Sequence, residues 1–176
     1  MTLPFTGIAT FVKIPCYDPA EAPAPHAAIL GIPTDEGTTQ HPGARYGPRT
    51  IREASTQFPY YKRGRGYYDP ERDRPMLADL EMRDAGDVEI VPTLLEENAK
   101  RIAEAVAALL SRRIFPVCLG GDHSVTAAIL PAFSDTPIHL VQIDAHMDFV
   151  DRLGGAPGTH ASPMRRAREL THVQSL

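Results

Sequence analysis

At 176 residues the chain is long enough for one domain with a real core, and its 43% hydrophobic content marks it as globular and not disordered. Its formal net charge is −4 and it carries no basic tract, which argues against nucleic acid or an anionic membrane as the main partner. No apolar run reaches the length of a membrane-spanning helix, and Met1-Thr2-Leu3-Pro4-Phe5 lacks the basic and apolar regions of a signal peptide. Cys16 and Cys118 are far apart, without metal-type spacing, and read as reduced thiols of a cytoplasmic protein, with Cys118 a small core residue.

Residues 1–25 are rich in proline, carry no period and read as an N-terminal arm. His26 to Ile32 reads as a short buried strand ended by Pro33. Gly37, Pro42, Gly43 and Gly47 then predict a loop over residues 34–47, and Pro48 is placed to open a helix through Thr56. Residues 58–76, a mixture of Tyr, Arg, Asp, Gly and Pro, read as a surface loop, with Tyr60, Tyr61, Tyr67 and Tyr68 covering surface or an oligomer contact. Residues 77–88 contain a charged candidate strand. The clearest helix follows: Thr93 and Glu96 have capping-box spacing, and Leu95, Ile102, Val106 and Leu109 recur on one helical face through Ser111. Ile114 to Leu119 reads as a strand, Ser124 to Leu130 as a helix stopped by Pro131, and Ile138 to Ile143 as another buried strand. Ser162-Pro163 would cap and start a last helix through Leu170. Helices alternating with short apolar strands imply an α/β domain with a parallel sheet, spanning residues 26–176.

Two segments carry the chemistry. In an extended backbone, side chains two apart share a face, so Asp144, His146 and Asp148 would place two carboxylates and an imidazole in one small volume. Such crowding is costly unless a cation absorbs the charge. Gly120-Gly121-Asp122-His123-Ser124 repeats the design of strand, turn and imidazole. In open parallel sheets ligands bind beyond the carboxyl ends of the strands, where both segments fall. Together they suggest a metal site with two ions. Oxygen and nitrogen donors without a thiolate suit Mn²⁺ or another first-row divalent ion. Two ions sharing a carboxylate would lower the pKa of a bridging water.

Gly120-Gly121-Asp122-His123-Ser124 and Asp144-Ala145-His146-Met147-Asp148 resemble the first two signatures of the ureohydrolase family, the arginases, agmatinases and guanidino-acid hydrolases. Gly31-Ile32-Pro33-Thr34-Asp35-Glu36-Gly37-Thr38-Thr39, Pro42-Gly43-Ala44-Arg45-Tyr46-Gly47-Pro48-Arg49 and Asp84-Ala85-Gly86-Asp87 resemble the same family, in its order. The resemblance implies a three-layer α/β/α sandwich around a parallel sheet and two Mn²⁺ ions that serve hydrolysis of a guanidinium group to urea and an amine. It implies that His123 and Asp148 bind one ion, His146 the other, and that Asp144 bridges them. It gives His160 the place of a histidine that shuttles protons or contacts substrate, with an exposed loop histidine as the rival reading. Asp122 would orient the loop or a ligand imidazole. Asp151 would face the substrate's cationic end or be a solvated acid. Arg45 and Arg49 read as salt-bridge partners that pin the Gly/Pro loop. Arginases resemble one another in an asparagine at the position of Val150, so the chain looks more like agmatinases or guanidino-acid hydrolases. Agmatine, or a related guanidino compound, is the expected substrate.

The family's third, aspartate-rich signature is missing, which puts the completeness of the metal site in doubt. The expectation is therefore the N-terminal part of an arginase-like domain, incomplete at the C-terminus, with little activity by itself. The alternative is a catalytically incomplete relative that binds metal or partners full-length subunits. The resemblance implies homo-oligomers for the complete protein.

Overall fold

The computed structural model describes residue 3 and residues 5–58 and 66–176; Tyr60 and Tyr61 lie outside the described residues. The chain divides into two compact units. The first comprises Met1–Gly31, Pro48–Asp87 and Leu109–Leu119, and the second Ile32–Gly47, Val88–Ala108 and Gly120–Leu176.

The first unit is organised on β1, Ala27–Ile32, whose six residues are all buried. Small and β-branched side chains without alternation are the pattern of a strand covered on both faces. In chain order, α1 (Gly47–Ser55) follows, then β2 (Tyr67–Asp69), β3 (Arg74–Met76) and β4 (Met82–Asp87). After α2 (Leu95–Ser111) comes β5 (Phe115–Gly120), and the sheet order is β4-β1-β5. β1 and β4 are parallel, with Ala27 opposite Met82 and Ile29 opposite Asp84. Val12 and Ile14 pack on Ile29, with Phe11, Tyr67, Met82, Val117 and Leu119 around them.

The expected loop over residues 58–76 contains an antiparallel pair, β2 with β3. Asp69 makes the turn: its Oδ1 accepts the N–H groups of Glu71 and Arg72 at 3.0 and 3.3 Å, and Asp73 takes φ +48°. A short Asx-type turn of this kind was hidden by the segment's polar composition.

Arg52, on α1, is buried at 7% exposure and turns toward β4. Its Nε and Nη2 donate to the Asp84 carboxylate, both at 2.9 Å, and its Nη1 to Asp87 at 2.5 Å. Asp84 also accepts the Phe11 and Gly86 N–H groups at 2.8 and 3.0 Å. The aspartates of the Asp84-Ala85-Gly86-Asp87 motif thus neutralise a buried guanidinium.

In the second unit α2 buries Ile102 and Val106 along one stripe, while Leu95 is exposed. The predicted capping box is not how the helix starts. Thr93 takes φ +75° and donates its N–H to Glu36 at 2.5 Å, and the first turn is closed by Asn98 N–H to Leu94 O at 2.8 Å. α3 runs from Val125 to Ile129 and continues as a 3-10 turn over Leu130–Phe133, so Pro131 changes the pitch instead of ending the segment. α4, Pro163–Ala167, is shorter than predicted.

The predicted strand over Ile138 to Ile143 is reduced to β6, Ile138–His139, paired in parallel with β7, Val173–Ser175. The ladder ends with Leu140 N–H to Ser175 O at 3.0 Å. Beyond that bond the apolar side chains of the run stand open: Val141 is 80% exposed and Ile143 97%. A β-rich, apolar composition does not make a strand where hydrogen-bond partners stop.

Candidate functional site

The chain leaving β5 reaches Gly121, whose N–H donates to Ile32 O, and Asp122, whose N–H donates to Thr34 O, each at 3.0 Å. A Cβ on Gly121 would collide with the Thr34 carbonyl oxygen, so only glycine allows this approach. Asp122 is buried and fully engaged. Its carboxylate accepts Gly37 N–H at 2.8 Å, Thr38 Oγ1–H at 3.3 Å and Ser124 N–H at 2.7 Å. It therefore ties residues 37–38 to the turn that presents His123.

His123 meets the second motif. Its Nδ1 lies 2.5 Å from Asp148 Oδ2 and 3.7 Å from Asp144 Oδ2. Donor atoms of His123, Asp144 and Asp148 all lie within 4.8 Å of one another. His146 stands outside that trio, largely exposed, with Nδ1 3.3 Å from Asp144 Oδ1. The extended backbone expected to align Asp144, His146 and Asp148 is absent. The chain bends at Ala145–His146, and Asp148 takes φ +44°. The bend is local chemistry: Asp144 Oδ1 accepts the His146 N–H at 2.8 Å, the Asx closure that competes with extended structure. That bond is the main reason the Asp144 carboxyl titrates below the usual carboxylate range; the His146 ring and the His123 charge add to it against the opposing effect of burial. The left-handed Asp148 is a strained position for a non-glycine residue, of a kind that clusters at functional sites. Its carbonyl is held by Met164 N–H at 3.1 Å.

A cleft of about 600 Å³ opens over this cluster, lined also by Asp122, His146, His160 and the loop from Thr38 to His41. His160 is held from two sides: its N–H donates to Gly37 O at 3.0 Å, and its Nε2 lies 3.0 Å from Thr39 Oγ1. The loop residues were missed in the sequence. Their signal was position, because they follow the carboxyl end of β1. Asp151 does not line the cleft. It pairs with Arg166, which holds its carboxyl below the ordinary range, against burial and with help from Arg165 and Arg152. Arg45 does pin the Gly/Pro loop, through Nε–H to Asp35 at 2.5 Å, whereas Arg49 pairs along its own helix with Glu53 at 2.9 Å.

The donor set fits a hard or borderline divalent cation: one imidazole and two carboxylates converge, a second imidazole is adjacent, and no thiolate is present.

The family model described as the arginase family matches residues 25–175. A human protein named guanidino acid hydrolase, mitochondrial, is 34% identical over 91% of this chain and 44% of its own length. The solved structure of a hypothetical agmatinase from Burkholderia thailandensis shares the fold, with a TM-score of 0.81 and 23% identity over 98% of this chain and 54% of that one. A Trypanosoma cruzi formiminoglutamase solved with Mn²⁺ has a TM-score of 0.65 and 26% identity over 84% of this chain and 49% of that one. The chain spans about half the length of the curated relatives it matches.

Proposed function

The chain belongs to the arginase family, and on that premise we propose that its activity is hydrolysis of a guanidinium C–N bond, releasing urea and an amine. The observation that carries the proposal is the convergence of His123, Asp144 and Asp148 within 4.8 Å in the lining of the cleft. His123, Asp144, His146 and Asp148 would hold the metal, and manganese is the ion we assign on the donor set and on the Mn²⁺ of a structural neighbour. A divalent ion in such a site lowers the pKa of water enough to supply a nucleophile near neutral pH.

The chain's own residues supply the rest. A guanidinium is a cation, and Asp144 and Asp148 draw it into the cleft as well as serving the metal. Asp122 holds the His123 turn against residues 37–38, so the imidazole keeps one orientation. His160 is fixed by Thr39 and lines the same cleft, where its ring nitrogen can hold the proton that the leaving amine requires. Agmatine and guanidino acids are the candidate substrates, matching the names of the relatives.

The test is manganese bound per chain, by equilibrium dialysis with elemental analysis, followed by urea release from guanidino compounds. We expect manganese binding that drops at least about tenfold in His123→Ala and in Asp148→Ala, in line with loss of a metal ligand or its support. Unchanged binding in both variants, or no binding by the folded wild-type chain, refutes the metal assignment. Metal binding without urea release from any guanidino compound decides for the alternative of a catalytically incomplete relative that binds metal.

A further inference from the structure

The surroundings of His160 tell its two ring nitrogens apart, an inference that rests on the hydrolase reading above. The backbone that carries the ring is pinned without the ring's help. His160 N–H donates to Gly37 O and Val150 N–H to Ala161 O, each at 3.0 Å. Ser162 N–H closes on Thr159 O at 3.0 Å, and the hydroxyls of these two buried residues lie 3.1 Å apart. What the backbone leaves open is rotation of the imidazole about its own side-chain bonds, of which the last is torsionally soft.

One contact fixes that rotation. Thr39 Oγ1 lies 3.0 Å from His160 Nε2, and among the described residues neither the hydroxyl nor the ring has a second hydrogen-bond partner. A hydroxyl can give or take a hydrogen bond, so the distance alone does not set the direction. The charge on the ring does. An imidazolium carries a proton on both nitrogens and donates from each, so Thr39 Oγ1 accepts from Nε2–H whenever His160 is charged. Nδ1–H, without a protein partner among the described residues, is then the proton free to leave. Once it has left, the neutral ring keeps its proton on Nε2 and the bond to Thr39 stands as before. Donation through Nε2 would instead break that bond and turn the hydroxyl round in every cycle.

We propose that Thr39 is a positioning residue for the hydrolysis: it holds the His160 ring by Nε2, which makes Nδ1 the atom that protonates the leaving amine. As the C–N bond breaks, its electron pair goes to the leaving nitrogen, which takes the Nδ1 proton. The ring, left neutral, recovers a proton from solvent.

The experiment reads the ring itself, by long-range proton–nitrogen NMR correlation of the isotope-labelled chain above the ordinary imidazole range, with His160 assigned through His160→Gln. Wild type and Thr39→Ser should show the Nε2–H tautomer alone. Thr39→Val keeps the shape without the oxygen and should show a mixture of both tautomers. Thr39 is exposed, so the valine variant should melt with the wild type. With manganese, kcat for urea release should fall about fivefold in Thr39→Val at unchanged KM, and return in Thr39→Ser. A neutral wild-type ring protonated on Nδ1 overturns the inference, as does a Thr39→Val ring indistinguishable from wild type or a full urea rate in that variant. No urea release by the wild-type chain overturns the hydrolase reading and the proton transfer with it. The tautomer, read without substrate, tells that failure from a failure of Thr39 to hold the ring.

Discussion

Asp84→Ala tests what holds the first unit together. The Asp84 carboxylate is 3% exposed and receives Arg52 Nε–H and Nη2–H, together with the N–H groups of Phe11 and Gly86. Removing it strands a guanidinium that is itself only 7% exposed. Asp87 remains, on Nη1 at 2.5 Å, but it neutralises only one edge of the fork. Breaking a buried pair by deleting one partner costs about 3–5 kcal/mol. For a chain of this size each kcal/mol shifts the melting temperature by about 2–4 °C, so the midpoint should fall by about 6–20 °C. The assay is thermal and urea unfolding followed by circular dichroism, in a cycle with Arg52→Met. Because Arg52→Met removes the stranded charge, the double variant should be more stable than the sum of the single losses by at least about 1.5 kcal/mol. A loss below about 1 kcal/mol for Asp84→Ala, or coupling below about 0.5 kcal/mol, would refute the reasoning.

Three further outcomes follow from single positions. Gly121→Ala drives a Cβ into the Thr34 carbonyl and must displace the His123 turn; we expect a stability loss of about 1–3 kcal/mol and manganese affinity lower by at least about tenfold, read by titration calorimetry, and wild-type affinity would contradict it. Cys16 is exposed, whereas burial pushes the Cys118 thiol up to about 11, so at pH 8 Ellman's reagent should label one thiol quickly and the second only on unfolding, and two equal fast phases would count against this. Ile143 is 97% exposed, so Ile143→Ser should change stability by no more than about 0.5 kcal/mol while lowering binding of an apolar dye; a large loss of stability would show the side chain to be buried.

What was readable in the sequence differs by the kind of information each segment carries. β1 and the buried stripe of α2 were readable because burial on both faces, or on one helical face, imposes a composition that nothing else explains. His123, Asp144 and Asp148, which the structure brings together, stand out in the sequence as residue types, but periodicity is not what brings them together. An extended backbone was to align Asp144, His146 and Asp148; the chain bends there, and Asp148 comes to 2.5 Å from His123 through a left-handed φ. Side-chain periodicity cannot report an Asx closure, because that closure depends on one aspartate oxygen finding one N–H.

The same limit explains Thr93 and Ile143. Thr93 has the spacing of a helix cap, yet its N–H is taken by Glu36, a residue distant in sequence. Val141 and Ile143 have the composition of a buried strand, yet strand formation needs a neighbouring ladder, and the one β7 offers stops at Leu140. Each failure turns on a partner that local sequence does not name, one present for Thr93 and one lacking for Ile143. The Asp84-Ala85-Gly86-Asp87 motif gives the converse case. It was noticed only as part of a family resemblance, and its physical content is the neutralisation of Arg52, a buried cation that sequence reading had not singled out. A motif matched by resemblance can thus belong to the fold, and here the geometry separates two kinds: Asp84 and Asp87 face a guanidinium of the protein itself, while Asp144 and Asp148 face an imidazole in the lining of an open cleft.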